Sequence, residues 1–168
     1  MKEVIIKDKD LCAASGEGMD AFLKVFVDGI RNAIGGELNA ENMAELSVEQ
    51  ITLLAYDMLH EELMDGGMVQ LIHNGYGGFI FLNPFAKVVR TWGLRDLSKM
   101  IYNAHTLYNK YHEDIERECS DEEFMAMFEK YAEFDDMDDM FVANEEQWTA
   151  DMAHYVDEHI EQFATIEK

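Results

Sequence analysis

Histidine and carboxylate pairs at helical spacing are the first residues in this sequence that could do chemistry. His60 opens a segment like the zinc-protease motif HExxH, but Met64 stands where the second histidine is needed. Asp57 and Asp151 each precede a histidine at the i, i+3 spacing of helical di-metal sites, which instead use glutamate and two further inward glutamates. The chain has six histidines and 35 acidic residues, so some pairs at this spacing are expected by chance. We therefore predict no metal site.

Two other segments, and the serines and cysteines of the chain, do not match the motifs for catalysis or cofactor binding. Residues 66–78 hold five glycines but neither GxxxxGK[ST] nor GxGxxG, which argues against nucleotide binding. The acidic run Asp135–Glu146 overlays a calcium loop, but Met137 replaces a ligand and Met140 replaces the turn glycine. No serine lies in GxSxG, and neither cysteine has a histidine placed to form a nucleophile pair. We predict a protein that is not an enzyme and needs no cofactor.

Apolar residues at spacings of three and four predict the elements that position these side chains. Helices are expected over 16–34, 48–65, 84–92, 94–118, 120–131 and 145–166, with a short helical turn over 40–46. Ser47 with Gln50, and Ser120 with Glu123, have the spacing of capping boxes at helix starts. A single proline and 12 methionines also favour helix over sheet. The predicted fold class is all-α, a single compact multi-helix domain over residues 1–168.

Two segments interrupt the helical pattern. The glycines at 66, 67, 75, 77 and 78 predict sharp turns, so we expect an irregular central segment. Within it, Phe79–Leu82 is apolar enough for a strand but has no partner strand in the sequence. The run Phe134–Asp139 is expected to form a loop, because aspartates are poor helix formers and repel one another.

The charge of the chain excludes several classes of function. Its 35 acidic and 13 basic residues give a net charge of −22, which argues against direct binding of nucleic acid. No apolar run is long enough to span a bilayer, and the first ten residues lack the apolar region of a signal peptide. Two cysteines without CxxC spacing fit a reducing compartment. We predict a cytoplasmic protein that does not bind membranes.

The negative charge is distributed unevenly along the chain. Residues 113–168 hold 20 acidic and three basic residues, a net charge of −17, whereas residues 66–112 have a net charge of +4. The remaining −9 lies in residues 1–65. This asymmetry predicts an acidic surface in the C-terminal third of the chain.

A glycine motif at the centre of the sequence resembles that of a known family. The motif comprises Gly66, Gly67, Gln70, Asn74 and Gly77, and it follows the helical sequence Leu59-His60-Glu61-Glu62. It is similar to the motif of the acidic DNA-mimic protein family, whose shared domain occurs in many bacterial proteins of unknown function. Asp65, Met68 and Leu71-Ile72 stand where the family usually has asparagine, phenylalanine and an aromatic pair. The resemblance covers about residues 50–163 and leaves residues 1–45 as an N-terminal helical extension.

This resemblance implies an all-helical domain, a dimer in the best-known member, whose acidic side chains imitate DNA phosphates and block a DNA-binding regulator. Helix neighbours at i, i+3 or i+4 lie about 5 to 6 Å apart, whereas duplex DNA carries one charge about every 3.4 Å along each strand. Helical carboxylates can therefore approximate a row of phosphates. We expect the glycine-motif residues to be structural, setting a turn and satisfying backbone groups. The candidate phosphate mimics are Asp121, Glu122, Glu129, Glu133, Asp135, Asp136, Asp138, Asp139, Glu145, Glu146, Asp157, Glu158 and Glu161.

These observations lead to one principal hypothesis and two alternatives. The principal hypothesis is a non-enzymatic DNA mimic that occupies the nucleic-acid-binding surface of a basic DNA-binding protein. In the first alternative, the segment Gly66–Phe79 binds a small molecule or peptide through Gln70, His73, Asn74 and Tyr76. In the second, the positive zone of residues 66–112 docks on the acidic zone of another copy, giving a salt-sensitive assembly.

Overall fold

The computed structural model describes residues 1–168 and confirms an all-α fold. It contains ten α-helices, two three-residue strands and two short 3-10 turns. The helices are α1 Asp8–Ser15, α2 Met19–Ala33, α3 Ala40–Met43, α4 Val48–Asp65, α5 Met68–His73, α6 Gly77–Phe81, α7 Phe85–Thr91, α8 Arg95–Glu116, α9 Asp121–Lys130 and α10 Asp135–Glu158. The strands are β1 Ile5–Lys7 and β2 Thr165–Glu167, and the 3-10 turns cover Ala132–Phe134 and Ile160–Gln162. None of the helices combines the length and the apolar composition that a membrane span requires.

Serine caps begin α4 and α9 where the sequence predicts them. The Gln50 backbone N–H donates to Ser47 Oγ at 3.1 Å, and the Ser47 N–H donates to Gln50 Oε1 at 3.0 Å. At α9, the Glu123 N–H donates to Ser120 Oγ at 3.2 Å. These bonds satisfy backbone N–H groups that have no partner within the helix, so they fix where each helix starts.

The chain divides into two compact units, and the first comprises Met1–Leu54 and Glu146–Lys168. Its core includes Phe26 and Phe163, whose ring centroids are 6.4 Å apart. β1 and β2 pair in parallel with Ile6 opposite Ile166, a pairing that the sequence pattern does not reveal. Gln50 is fully buried, and its Nε2 donates to the carbonyls of Lys2 at 3.2 Å and Phe163 at 3.0 Å. The Gln50 side chain therefore links the segment that precedes β1 to the segment that precedes β2.

The second unit, Ala55–Glu145, contains the central helix α8, against which α5, α6 and α7 pack. Leu97, Ile101 and Ala104 form its buried face at the predicted spacing. The His73 Nδ1 lies 2.7 Å from the carbonyl oxygen of Ile115, near the far end of α8. Ser98 Oγ donates to the Ala86 carbonyl at 2.7 Å and joins α8 to α7. Side-chain bonds to backbone carbonyls therefore reinforce the apolar packing around α8.

The central glycine-rich segment is more regular than the sequence predicts. It forms two short helices, α5 and α6, and the strand considered for Phe79–Leu82 is replaced by the end of α6. Gly67 and Gly75 both have φ +87°, so they supply the turns before and after α5. The residues between them are apolar enough to be buried: Met68, Val69, Leu71 and Ile72. This burial outweighs the low helix propensity of the surrounding glycines.

The loop predicted for the run Phe134–Asp139 is wrong. Phe134 ends a 3-10 turn, and the four aspartates begin α10, which starts at Asp135 rather than at Glu145. The unpaired N–H groups and positive dipole end at a helix N-terminus favour carboxylates, and this offsets their mutual repulsion. Asn144, which immediately precedes the expected helix start at residue 145, lies inside α10, where its Nδ2 donates to the Met140 carbonyl at 2.8 Å. The helix ends at Glu158, short of the predicted residue 166.

Candidate acidic interface

The turn between α4 and α5 brings the glycine motif against an aspartate of α10. Asp138 Oδ1 accepts a 2.8 Å hydrogen bond from the Met68 N–H, the first residue of α5. A Cβ on Gly67 would lie 2.5 Å from Asp138 Oδ2, so only glycine allows the carboxylate to approach. Asp138 thus caps α5 from a distant part of the sequence.

The two amides of the motif bind carboxylates at the end of α4. Gln70 Nε2 donates to Asp65 Oδ2 at 2.8 Å and to Glu62 Oε2 at 3.1 Å. Asn74 Nδ2 donates to the same Glu62 oxygen at 3.1 Å. A Cβ on Gly66 would overlap the Gln70 amide. Glycine, glutamine and asparagine therefore occupy one connected turn.

Gly77 lets α6 approach α8 closely. A Cβ at this position would overlap the ring of Tyr108. That ring packs on Phe81 with centroids 4.9 Å apart and stacks on His112 at 4.6 Å. Burial and the nearby carboxylate of Glu116 raise the pKa of Tyr108 above its ordinary value. The five motif residues thus lie in the turns and short helices between α4 and α8.

Asp138 is partly buried, unlike most of the other candidate mimics. Its burial raises its pKa from 3.8 to about 6, and the charges of Asp135 and Asp139 add to the increase. The hydrogen bond from the Met68 N–H acts in the opposite direction but is the smaller effect. The Asp138 carboxylate is bonded within the α4–α5 turn, so it is not available to a partner as the exposed carboxylates are.

Most of the remaining candidates in the second unit are exposed and unneutralised. The exposed acidic set, which forms no ion pair with lysine, arginine or histidine, comprises Asp121, Glu122, Glu129, Asp135, Asp136 and Asp139. Glu133 is also exposed, but its Oε1 accepts a 2.6 Å bond from the Tyr111 hydroxyl. Together with Asp136, Glu133 lines an open cleft of about 380 Å³ against α8. The exposed set thus follows the chain from α9 into the start of α10.

Glu145, the last candidate in this unit, faces inward. Its side chain is only 14% exposed, and its Oε1 lies 2.6 Å from His60 Nε2. The His60 ring also packs edge-on against Phe141 at a centroid distance of 5.9 Å. In the first unit, Glu146, Asp157, Glu158 and Glu161 are exposed.

Sequence reasoning missed a small charge network that explains why the exposed acidic set stays unneutralised. Asp114 accepts hydrogen bonds from the Tyr131 hydroxyl, from Lys130 Nζ at 3.0 Å and from Arg117 Nε at 3.0 Å. These bonds, led by the one from Tyr131, lower the pKa of Asp114 to about 2. Arg117 Nη1 also lies 2.8 Å from Glu123 Oε2. Both cations of residues 113–145 are therefore paired with Asp114 and Glu123.

In the segment considered as a ligand site, Gly66–Phe79, three of the four polar side chains form contacts within the protein. Gln70 and Asn74 bind Glu62, as described above. The His73 ring binds the Ile115 carbonyl and stacks on Phe124 at a centroid distance of 4.4 Å. Tyr76 is 37% exposed. These contacts favour a structural role for the segment.

The positive zone forms an exposed group on α7 and the start of α8. This basic group comprises Lys87, Arg90, Arg95 and Lys99, which are all exposed and form no ion pair. The second unit therefore carries unneutralised charge of both signs, on different helices.

An all-helical fold with a glycine-motif turn and exposed, unneutralised carboxylates defines a class of acidic helical proteins. Comparison with known families identifies the class more closely. Residues 44–159 match the model of the DMP19-like protein family, and the chain belongs to this family. It is 32% identical, over 127 residues, to a protein of Neisseria meningitidis serogroup B (strain ATCC BAA-335 / MC58) named DNA mimic protein DMP19. The aligned region covers 75% of this chain and 77% of that relative, which confirms the resemblance to the DNA-mimic family.

Proposed function

We propose that this protein is a non-enzymatic DNA mimic that occupies the nucleic-acid-binding surface of a basic DNA-binding protein. The observation that carries this proposal is the exposed acidic set on α9 and the start of α10, whose carboxylates have no cationic partners. Membership of the DMP19-like family and the name of the Neisseria relative support it. The protein acts by binding alone, and its target is a protein that otherwise holds DNA phosphates with lysine and arginine.

Helical geometry supports this mechanism. Asp135, Asp136 and Asp139 are related by i, i+4 and i, i+3 spacings on α10, which place carboxylates about 5 to 6 Å apart on one rigid scaffold. A DNA-binding surface already has cations arranged for a row of phosphates, so rigid carboxylates bind it with little reorganisation. The net charge of −22 accelerates the encounter by attracting basic partners over long range.

The proposal is tested by using the purified protein as bait in a lysate of its host. We expect it to retain a basic DNA-binding protein at about 50 mM salt and to release it at about 500 mM, because salt screens exposed charges. Duplex DNA should displace the retained protein. The proposal is contradicted when no DNA-binding protein is retained, or when the retained protein resists displacement by DNA.

Charge-driven self-association is a second candidate function, favoured by the unpaired basic group on α7 and α8. A homodimer in which this group docks on the exposed acidic set of a partner would neutralise both. Sedimentation at about 50 mM salt should then show a dimer that dissociates at about 500 mM. Substitution of Lys87, Arg90, Arg95 and Lys99 with glutamine should abolish it. A species that stays monomeric at both salt concentrations refutes this candidate.

A further inference from the structure

A cleft of about 300 Å³ opens in the first unit between the start of α2 and the last turns of α10. Met19 and Phe22 of α2 and Ala153 of α10 supply apolar surface. His154 and Asp157 of α10 supply the polar edge. The volume is at the lower end of the range typical of ligand sites, about 300 to 1,000 Å³, so the cleft suits a small molecule or a single side chain.

The polar atoms around this cleft favour a cation. Asp157 is exposed, forms no ion pair and is the only charged carboxylate in the lining, which contains no lysine or arginine. Ser15, also in the lining, donates its hydroxyl hydrogen to the Leu11 carbonyl at 2.8 Å, so its oxygen is left to accept. Ser15 also ends α1, and the carbonyl end of a helix carries partial negative charge.

The apolar wall favours a ligand with a hydrocarbon stem. Met19 is 44% exposed, so the cleft has apolar surface in contact with water. Covering it would remove apolar surface from water, and its flexible thioether adapts to the shape of what it contacts. Gly18, at the cleft, has no heavy atom within 4 Å of where a Cβ would stand, so nothing obstructs this side.

We propose that this cleft binds a small organic cation, a primary ammonium or guanidinium group on a short apolar stem. The cation pairs with Asp157 while the stem packs on Met19 and Phe22. Ser15, Gly18, Met19 and Phe22 precede residue 44, where the match to the DMP19-like family begins. Ala153, His154 and Asp157 lie inside that match, but Asp157 is not a member of the exposed acidic set, so cation binding does not depend on the proposed DNA mimicry.

The first test is a titration of the full-length protein with agmatine, which carries both a guanidinium and an ammonium group on a four-carbon stem, followed by amide NMR shifts. We expect saturable shifts at Gly18, Met19 and His154, with a millimolar dissociation constant as is typical of a ligand of this size. Uncharged 1-pentanol should give no saturable shift. The cation has two potential sources, an arginine side chain of a protein and a free amine, and the blocked peptide Gly-Arg-Gly distinguishes them. Binding of this peptide at the same residues indicates an arginine side chain, and failure to bind indicates a free amine. Shifts spread over the carboxylates of the whole surface overturn the proposal.

The second test separates the cleft from the general negative field of the protein, which attracts any cation. Asp157→Asn should weaken agmatine binding at least about fivefold, because a hydrogen bond to a charged group is lost. Glu158→Gln removes the same charge from the adjacent exposed residue, which does not line the cleft, and should change the affinity by less than about twofold. Equal effects of the two substitutions overturn the proposal. Both positions are exposed, so both variants should fold, and an unchanged circular-dichroism spectrum verifies this.

Discussion

At the scale of single residues, the contact between Asp138 and Gly67 fixes the turn that joins α4 to α5. The sequence places Asp138 in a run of four similar aspartates, and nothing local distinguishes it from its neighbours. The structure distinguishes Asp138 from them, because the Asp138 carboxylate caps α5 and lies too close to Gly67 for a Cβ to fit there. Tertiary contacts of this kind join residues 70 positions apart. The sequence motif therefore predicts that a turn exists, but it does not predict the partner that requires the glycine.

Gly67→Ala should destabilise the protein more than Gly75→Ala. Both glycines have φ +87°, which costs a residue with a Cβ about 1–2 kcal/mol. At Gly75 the added Cβ meets open space, whereas at Gly67 it must displace the Asp138 carboxylate, so we expect a further cost of about 1–2 kcal/mol. Urea unfolding measures both free energies of unfolding. Equal losses for the two variants would show that the Asp138 contact is unimportant.

The raised pKa of Asp138 predicts a specific dependence of stability on pH. The pKa is about 6 in the folded protein, against an ordinary value of 3.8, so the folded state binds more protons between these values. The contribution of Asp138 to the free energy of unfolding therefore increases as the pH falls from about 7 to about 4. Asp138→Asn lacks this contribution.

The stability of Asp138→Asn relative to wild type should thus decrease over that pH range, by about 1–2 kcal/mol once solvent screening is included. Urea unfolding at several pH values gives this difference directly. Asp121→Asn, which removes an exposed carboxylate, is the charge-matched control. A variant whose stability relative to wild type stays constant, or rises, as the pH falls contradicts the assignment.

At the scale of elements, the sequence predicts the helices that have an apolar stripe, and serine caps mark the starts of two of them. The helices α2, α4, α8 and α9 appear with ends within a few residues of those expected. The strands β1 and β2 could not be found, because each is three residues long and their partners lie at opposite ends of the chain. Intrinsic propensity and charge repulsion alone do not predict the start of α10, because its aspartates also interact favourably with the positive end of the helix dipole.

Gln50→Leu should disrupt the pairing of β1 with β2. It leaves the part-buried carbonyl of Lys2, the buried carbonyl of Phe163 and the N–H of Ser47 without their partners, so the free energy of unfolding should fall by about 2–4 kcal/mol. Amide hydrogen exchange should accelerate at residues 5–7 and 165–167. Gln147→Leu, at an exposed position of α10, is the matched control and should change stability by less than about 0.5 kcal/mol. Slow exchange in both strands of Gln50→Leu would refute this role.

At the scale of the whole molecule, the charge asymmetry of the sequence is also found in the folded protein, where the acidic third of the chain carries exposed carboxylates without ion pairs. The sequence could identify the acidic third of the chain, but of its 13 candidate mimics Asp138 and Glu145 are turned to internal contacts. It also could not show that Arg117 and Lys130 are both held by Asp114, which leaves the exposed acidic set without counter-charges. Side-chain pairing between helices decides which carboxylates remain available, and that pairing is set only by the fold.

Two charge-matched variants test the proposed mimicry most directly. The interface variant neutralises Asp121, Glu122, Glu129, Asp135, Asp136 and Asp139 with asparagine or glutamine, and keeps Asp138 because of its role in the turn. The control variant neutralises Glu3, Asp10, Glu17, Glu37, Glu41 and Glu61, which are also exposed. Both proteins lose six negative charges, so they differ only in where the charge is removed.

The measurement is the ability of each variant to displace duplex DNA from the DNA-binding protein captured from the host. The proposed mimicry predicts that the control variant competes within about threefold of wild type, while the interface variant is at least about tenfold weaker, because only it loses contacts to the cations of the partner. An interface variant that competes as well as wild type, or two variants weakened to the same extent, would contradict the claim that the exposed acidic set imitates DNA.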